Sequence, residues 1–514
     1  MYSVVNAAVI KGIESIPVQV EADVSEGMPV FEMVGFLSAE VKEAKERVRI
    51  ALKNSGFALP PKRITINLTP ADIKKSGTAF DLPIAFALLC AMKVLPTDIF
   101  KQTMAAGEIG LNGNILPIRG MLPIVEMARK MGMKKCLVPD GNQKEASLIS
   151  GIEIVPLCNI ENSIKLLKGD QNIAAFPEKK TERSEPEKNT VDFSEINGQE
   201  VLKRACEIAV SGMHNLLMIG PPGAGKTMAA KRIPTILPPL NEKEQMELSK
   251  IYSVCGLLDP AGGLLNDRPC RMPHHTITPQ ALAGGGVSPK PGEISLAHAG
   301  VLFLDELPEF KKATLEILRQ PLEDKQIRLV RMSGIFEFPS DFILVAAMNP
   351  CKCGFYPDRN KCRCSDLSIR RYLSGISQPL LDRIDICVEA PRLAYEELTK
   401  SKKNESSAEI RARVLAAQQI QKERYNEEEF DYNAQIPSSK IKKYCKLTPK
   451  LQEYMKRIFL RLDLSARAYY KILKVARTIA DLEQSTEIKS AHLTEAVCYR
   501  SIDKKFWEND AYDL

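Results

Sequence analysis

The chain has 514 residues, 44% hydrophobic, 26% charged and 6% aromatic. That balance excludes disorder, collagen and coiled coil, and at roughly 150 residues per core it asks for about three domains. Its 71 Lys and Arg against 64 Asp and Glu leave a net +7, which permits nucleic-acid binding without arguing for it. The longest apolar run, Leu82 to Met92, is too short to span a bilayer, and Met1 to Gly12 has the form of no export signal. A cytoplasmic protein with no membrane partner is expected. Most of the 13 cysteines are scattered singly, as thiols in a reducing compartment are.

The first block, 1–172, interleaves helix and strand signals. Ala39–Asn54 carries Val41, Ala44, Val48, Ala51 and Leu52 at helical spacing, with Ser38 placed to cap the helix and Gly56 to end it. Arg63 to Leu68 alternates Ile64, Ile66 and Leu68 as a half-buried strand does. A polar linker follows at 173–192, where Phe176 to Asp192 replaces apolar periodicity with Pro177, Pro186 and a mix of Glu and Lys.

The next block, 193–395, opens on chemistry. Asn215 to Ile219 predicts a short strand running into Gly220-Pro-Pro-Gly-Ala-Gly-Lys-Thr227 and then a helix. Gly220, Gly223 and Gly225 let backbone N–H groups converge on phosphate at a helix N-terminus. Lys226 would reach the β and γ phosphates of ATP, and Thr227 would ligate Mg²⁺. His274 and His275, in a Gly- and Pro-rich stretch, point different ways on a strand and make a poor chelating pair. A channel-loop or packing role is expected for them, while His214 and His492 have no evident partner.

Gly300 to Glu306 is an apolar strand ending in paired acids, Asp305 to hold the magnesium shell and Glu306 to polarise water for in-line attack. Glu323 to Phe338 holds two strand-like runs joined at Ser333-Gly334. Phe342 to Met348 is a further strand, and Asn349 at its end is suited to orient the attacking water. Four thiols then fall close together, Cys351, Cys353, Cys362 and Cys364. They are either reduced thiols on a loop or a closed tetrahedral Zn²⁺ site, and the clustering favours metal. Such a site is expected to stiffen a loop beside a subunit interface or pore. In Leu380-Leu-Asp-Arg-Ile-Asp385, Arg383 fits either a local salt bridge or an arginine finger for a neighbouring subunit. A second polar stretch, Thr399 to Ser407, leads into 396–514. There Leu451, Met455, Ile458 and Phe459, then Ala468, Ile472, Val475, Ala476 and Ile479, predict a small bundle of amphipathic helices. Arg467 could fold over the same nucleotide from that lid.

The succession of phosphate loop, Asp-Glu strand, Asn strand, Leu-Asp-Arg and lid arginine resembles the AAA+ ATPases. Arg271 to Thr276, Pro291 to Gly300 and Leu304 to Phe310 resemble the magnesium-chelatase-related branch, and over nearly the whole chain the sequence is similar to the ComM/YifB family. The resemblance implies an α/β fold: a P-loop AAA+ core with helices on both faces of a parallel sheet, a helical lid, and a preceding α/β domain. It implies a homo-oligomeric ring, a hexamer, acting as a branch-migration helicase on branched or single-stranded DNA without sequence preference. In that branch the hairpin before the Asn strand projects into the ring channel, so Arg328 and Arg331 become candidate phosphate contacts, against the plainer reading of solvated arginines. Similar four-cysteine insertions accompany the family. Rival readings are a magnesium chelatase motor subunit and a nucleotide-gated scaffold that does not translocate.

Ile73 to Pro83 and Gly107 to Gly120 resemble the proteolytic domain of Lon proteases, which needs a serine nucleophile after the first motif and a lysine base after the second. Ala79 stands where the serine belongs, and Leu122, Pro123 and Ile124 where the lysine belongs. Ser76 and Lys75 are out of register. Alkyl groups neither attack carbonyls nor take protons, so a Lon-like fold without the dyad, kept for subunit contact or DNA handling, is expected.

Overall fold

The computed structural model describes residues 1–169, 191–259, 263–332, 334–392 and 404–507. Residues 173–190 of the expected linker, 399–403 of the second polar stretch, and Ser333 lie outside the described residues.

Strands Tyr2–Lys11 (β1) and Glu14–Ser25 (β2) bury alternate side chains along most of their length and pair antiparallel, from Tyr2 opposite Asp23 to Lys11 opposite Glu14. Gly12 turns the chain between them at φ +70°, a conformation that side chains disfavour. Val30–Val34 (β3) and Arg63–Thr69 (β4) extend one side of the sheet. Thr103–Ala105 (β5) begins the other side, and after a short hairpin of Glu108–Ile109 (β6) and Ile115–Leu116 (β7) the strands Lys135–Pro139 (β8) and Glu153–Leu157 (β9) complete it. The order is β3-β4-β2-β1-β5-β8-β9.

The apolar run at Leu82 forms the helix Asp81–Ala91, buried along its whole length against this sheet. Among the described residues no helix is long and apolar enough to cross a membrane. The helix Ala39–Asn54 lies where its periodicity puts it, with the five expected residues buried. Ser38 does occupy the cap position, but its hydroxyl donates to the Glu40 carboxylate at 2.8 Å instead of capping a backbone amide.

A second sheet begins with Leu216–Ile219 (β10) and Cys270–Arg271 (β11). A small hairpin, Gly284–Gly285 (β12) with Lys290–Pro291 (β13), precedes Val301–Leu304 (β14). A longer hairpin, Gln326–Arg331 (β15) with Gly334–Pro339 (β16), precedes Ile343–Met348 (β17), and Ile386–Glu389 (β18) comes last. The sheet is parallel throughout, in the order β11-β14-β17-β10-β18. Alternate residues face opposite ways. Leu216, Met218, Val345 and Ile386 pack with the helices Glu200–Gly212 and Lys226–Ile236 and with the C-terminal helices. Leu217, Ile219, Leu344 and Cys387 pack with Ile294, Leu315, Ile369 and Phe506. Both faces are thus covered by helices, as a buried parallel sheet requires.

The helical tail forms Ser407–Arg424, Pro449–Arg461, Ala466–Leu482 and Ser490–Trp507. A buried polar cluster ties it to the sheet. His214 does have a partner, bonding Thr478 at 2.8 Å and facing Asp385 at 3.6 Å. Burial opposes the charge of Asp385, but Lys471 at 3.0 Å and His214 outweigh it and hold this carboxylate well below its ordinary range. His492 is partnered as well, by Glu483 at 2.9 Å and the Lys489 amide at 3.0 Å.

The two sheets are joined through side chains. Lys250, on the helix Glu242–Cys255, reaches Glu14 at 3.0 Å and Glu126 at 2.5 Å. Gly120 donates to the Ser253 carbonyl at 3.0 Å, and the Ser253 hydroxyl donates to Glu145 at 2.5 Å.

Candidate nucleotide site

Parallel sheets gather function at the carboxyl ends of their strands. The glycine-rich loop leaves β10 there, with Gly223 at φ +77° and Gly225 at φ +84° immediately before the helix Lys226–Ile236. A Cβ on either glycine would meet nothing within 4 Å, so the loop's concave side is open. At Gly220 a Cβ would come within 2.2 Å of the Ala390 carbonyl, which explains glycine at the start of the loop.

Strands β14 and β17 bring the remaining groups to the same edge. Thr227 donates to Asp305 Oδ2 at 2.7 Å, and the Glu306 amide donates to Asp305 Oδ1 at 2.9 Å. Glu306 adopts φ +52°, a left-handed backbone that turns its half-exposed side chain off the strand's end. Lys226 Nζ donates to the carbonyls of Gly220 and Pro221, at 2.6 and 2.9 Å, and to Asn349 Oδ1 at 3.1 Å. Burial lowers its pKa to about 8, although Asp305 and Glu306 pull the other way. Pro222, Gly223, Ala224, Gly225, Lys226, Thr227, Asp305, Glu306 and Asn349 border one cleft of about 340 Å³. The donor set suits a triphosphate with magnesium: backbone amides and an ammonium for phosphate, a hydroxyl and a carboxylate for the ion.

One neighbour was not legible in the sequence. His275 lies 3.6 Å from the Glu306 carboxylate and 4.0 Å, ring to ring, from His274. His275 thus packs between its neighbour's ring and the site's acid.

The two arginines are not brought to the cleft of their own chain. Arg383 is only 10% exposed, pairing with Glu323 at 2.7 Å and donating to the carbonyls of Arg319 and Pro379. Its own carbonyl accepts from Asn215, at the opposite end of β10 from the loop, roughly 15 Å away at the rise of a strand. Arg467, 62% exposed, does not fold over this nucleotide site: it lies 4.0 Å from the same Glu323.

The four cysteines do come together. Their sulfurs lie within 4.8 Å of one another, with Cys351 3.3 Å from Cys353 and 3.7 Å from Cys362. Tetrahedral zinc with bonds of about 2.3 Å needs sulfurs about 3.8 Å apart, so the set fits. Against burial, hydrogen bonds from the Phe355 backbone and the other cysteines hold Cys353 near 6, favouring thiolate. The turn they shape lies against the phosphate loop, which its place in the sequence did not reveal.

Arg328 and Arg331 are exposed on the β15–β16 hairpin, Arg328 3.4 Å from its cross-strand partner Glu337. The hairpin backs onto the first sheet, where a Cβ on Gly12 would lie 3.1 Å from the Glu337 carbonyl. Met332 and Phe336 from the hairpin, with Ala79 and Ile124 from the first sheet's domain, border a cavity of about 810 Å³. Ala79, at the expected serine position, and Ile124, one of the three expected lysine positions, thus border one space, while Leu122 and Pro123 do not.

Three families match in succession: "Subunit ChlI of Mg-chelatase" over residues 20–142, "Magnesium chelatase, subunit ChlI" over 192–398, and its C-terminal part over 404–500. The chain is 42% identical over 510 residues to the uncharacterized protein YifB of Escherichia coli, covering 98% of this chain and 97% of that protein. It is 41% identical over 496 residues to competence protein ComM of Haemophilus influenzae, covering 96% of each. The chain belongs to the ComM/YifB family. The ComM/YifB chain is therefore an AAA+ ATPase of the magnesium-chelatase type, a family that commonly forms oligomers. Lon-like similarity is found in the N-terminal part, 27% identity over 131 residues to the archaeal Lon protease of Methanocaldococcus jannaschii, 25% of this chain and 20% of that one.

Proposed function

We propose that this chain assembles into a ring, a hexamer, hydrolyses ATP between neighbouring subunits and uses the cycle to drive branch migration or strand separation of DNA. One observation carries the reading. Lys226, Thr227, Asp305, Glu306 and Asn349 share a single cleft, while Arg383 and Arg467 both face Glu323 outside that cleft, so that a role for either at a nucleotide is assigned to a neighbouring copy.

Lys226 and the loop amides hold the β and γ phosphates, and Thr227 and Asp305 hold magnesium, which when bound neutralises phosphate charge. Glu306 polarises water for in-line attack and Asn349 orients it. Arg383 and Arg467 of the adjoining copy neutralise charge as it develops in the transition state, an effect worth about 10³ to 10⁵ in rate for arginine fingers. Cys351, Cys353, Cys362 and Cys364 hold a structural zinc. Arg328 and Arg331 contact DNA phosphates, and the name competence protein borne by the Haemophilus relative agrees with a role in handling DNA.

Lys226→Ala is expected to abolish nucleotide binding, and Glu306→Gln to bind ATP without turning it over; unchanged turnover in Glu306→Gln would refute its role. The family matches also favour a metal-chelatase motor. ATP turnover and strand displacement measured on a four-way DNA junction separate the readings, because only a DNA motor is stimulated by the junction.

A further inference from the structure

The cysteine turn is in contact with two parts of the molecule, the phosphate loop and the last C-terminal helix. Cys351 follows Asn349 by two residues, and Asn349 accepts the hydrogen bond from Lys226 at 3.1 Å. Between the first two cysteine ligands and the rest, Gly354 turns the chain at φ +83°, where a Cβ would lie 2.3 Å from Cδ and 3.0 Å from Cγ of Pro222. Pro222 belongs to the phosphate loop. The backbone of the cysteine turn therefore rests directly on a rigid ring of the loop that cradles the nucleotide.

Two residues beyond Gly354, the Tyr356 ring meets Phe506 edge-on at 6.2 Å between centroids. Phe506 is 2% exposed and lies on the last C-terminal helix, Ser490–Trp507. Beside it, Trp507 donates to the Leu373 carbonyl at 3.2 Å, at the end of the helix Asp366–Leu373 that follows the second cysteine pair. Both sides of the cysteine cluster are thus fastened to the final helix, and its front edge to the phosphate loop.

A chain segment of this kind has little structure of its own. Between Met348 and Asp366 there is no helix or strand, and the four sulfurs are the groups that converge inside it. Closing them on one ion removes the segment's freedom in a single step.

We propose that the metal-closed turn Cys351–Cys364 is a brace that positions the phosphate loop and couples it to the C-terminal helix, with Gly354 as the positioning residue at the point of contact. This rests on the nucleotide and zinc assignments proposed above. The coupling is reciprocal: if the closed turn strengthens nucleotide binding by some factor, bound nucleotide strengthens zinc retention by the same factor.

The experiment uses the full-length protein purified without chelator, with zinc content, affinity for a fluorescent ADP analogue, and zinc release to a colorimetric chelator as readouts. Cys353→Ser should lose zinc and bind the analogue about five- to a hundredfold more weakly, the usual span of coupling between sites. Gly354→Val should keep one zinc per chain and still bind more weakly by a factor in that range, which a general folding defect would not produce. In the unaltered protein, Mg-ADP should slow zinc release about fivefold or more, and it should have no such effect in Lys226→Ala. Unaltered protein that binds the analogue but carries no zinc, or variants that bind it within about twofold of the parent, would overturn the brace while leaving the nucleotide site standing. Failure of the unaltered protein to bind the analogue at all would instead strike the underlying nucleotide assignment, and the brace with it.

Discussion

The chemistry of Lys226 turns on a conflict between burial and charge. Without phosphate, its ammonium has only two carbonyls and an amide oxygen as acceptors, and burial draws its pKa down to about 8. Phosphate stabilises the charged form, so the pKa of the bound state lies above that of the free state. Binding energy from this contact is accordingly complete below pH 8 and is lost as the pH rises above it, by up to about tenfold in affinity per unit until the bound-state pKa is reached. An isothermal titration series from pH 6.5 to 9.5 checks this; affinity flat across that range would mean that the free lysine keeps its ordinary pKa. His275 makes a second case at this scale. Its ring lies 3.6 Å from the Glu306 carboxylate but is not itself among the residues that border the phosphate loop's cleft. His275→Ala is expected to lower kcat several-fold by freeing that carboxylate while nucleotide affinity stays the same; a change in affinity with kcat preserved would contradict this role.

At the scale of elements, the site was legible where one strand, one turn and one helix follow each other directly. The phosphate loop, the Asp305–Glu306 strand and the Asn349 strand each announce a carboxyl-terminal strand edge, and parallel pairing of β10, β14 and β17 then leaves no choice but to bring the three together. The seven-stranded N-terminal sheet was only partly read: Ile64, Ile66 and Leu68 mark β4, but Val18, Val20, Ala22 and Val24 alternate as cleanly along β2 and were a signal missed, whereas the buried helix Asp81–Ala91 has no periodicity to betray it. Contacts between distant loops were not legible at all. Nothing in sequence spacing tells that Gly354 meets Pro222, or that Arg383 and Arg467 share Glu323. That last convergence carries a prediction. Arg383→Ala and Lys226→Ala should each be inactive alone, yet mixing them should restore turnover, because a ring of both contains interfaces where an intact phosphate loop faces an intact Arg383. If Arg383 served the nucleotide of its own chain, the mixture would stay as inactive as its components.

On the scale of the whole molecule, the Lon-like part is held against the ATPase core by charge that has been taken out of water. Lys250 is 4% exposed and Glu126 is 7% exposed. Burial works against the Glu126 carboxylate, but hydrogen bonds from Lys130 and Lys250 outweigh it and keep its pKa below the ordinary value. Removing one member of such a pair strands the other in a poor medium. Losses of about 3–5 kcal/mol are usual where no second partner exists, and here Lys130 at 2.8 Å retains part of the compensation, so about 2 kcal/mol is the reasonable expectation. Lys250→Met keeps the aliphatic stem and deletes the charge. Because Lys250 joins the helix Glu242–Cys255 to Glu126 on the helix Met121–Lys130, the loss should appear at that seam, as amide exchange about thirtyfold faster in those two helices. Exchange in Lys226–Ile236, on the other side of the core, should be unaltered. Equal acceleration in all three helices would mean that the ion pair supports the core as a whole and not the junction.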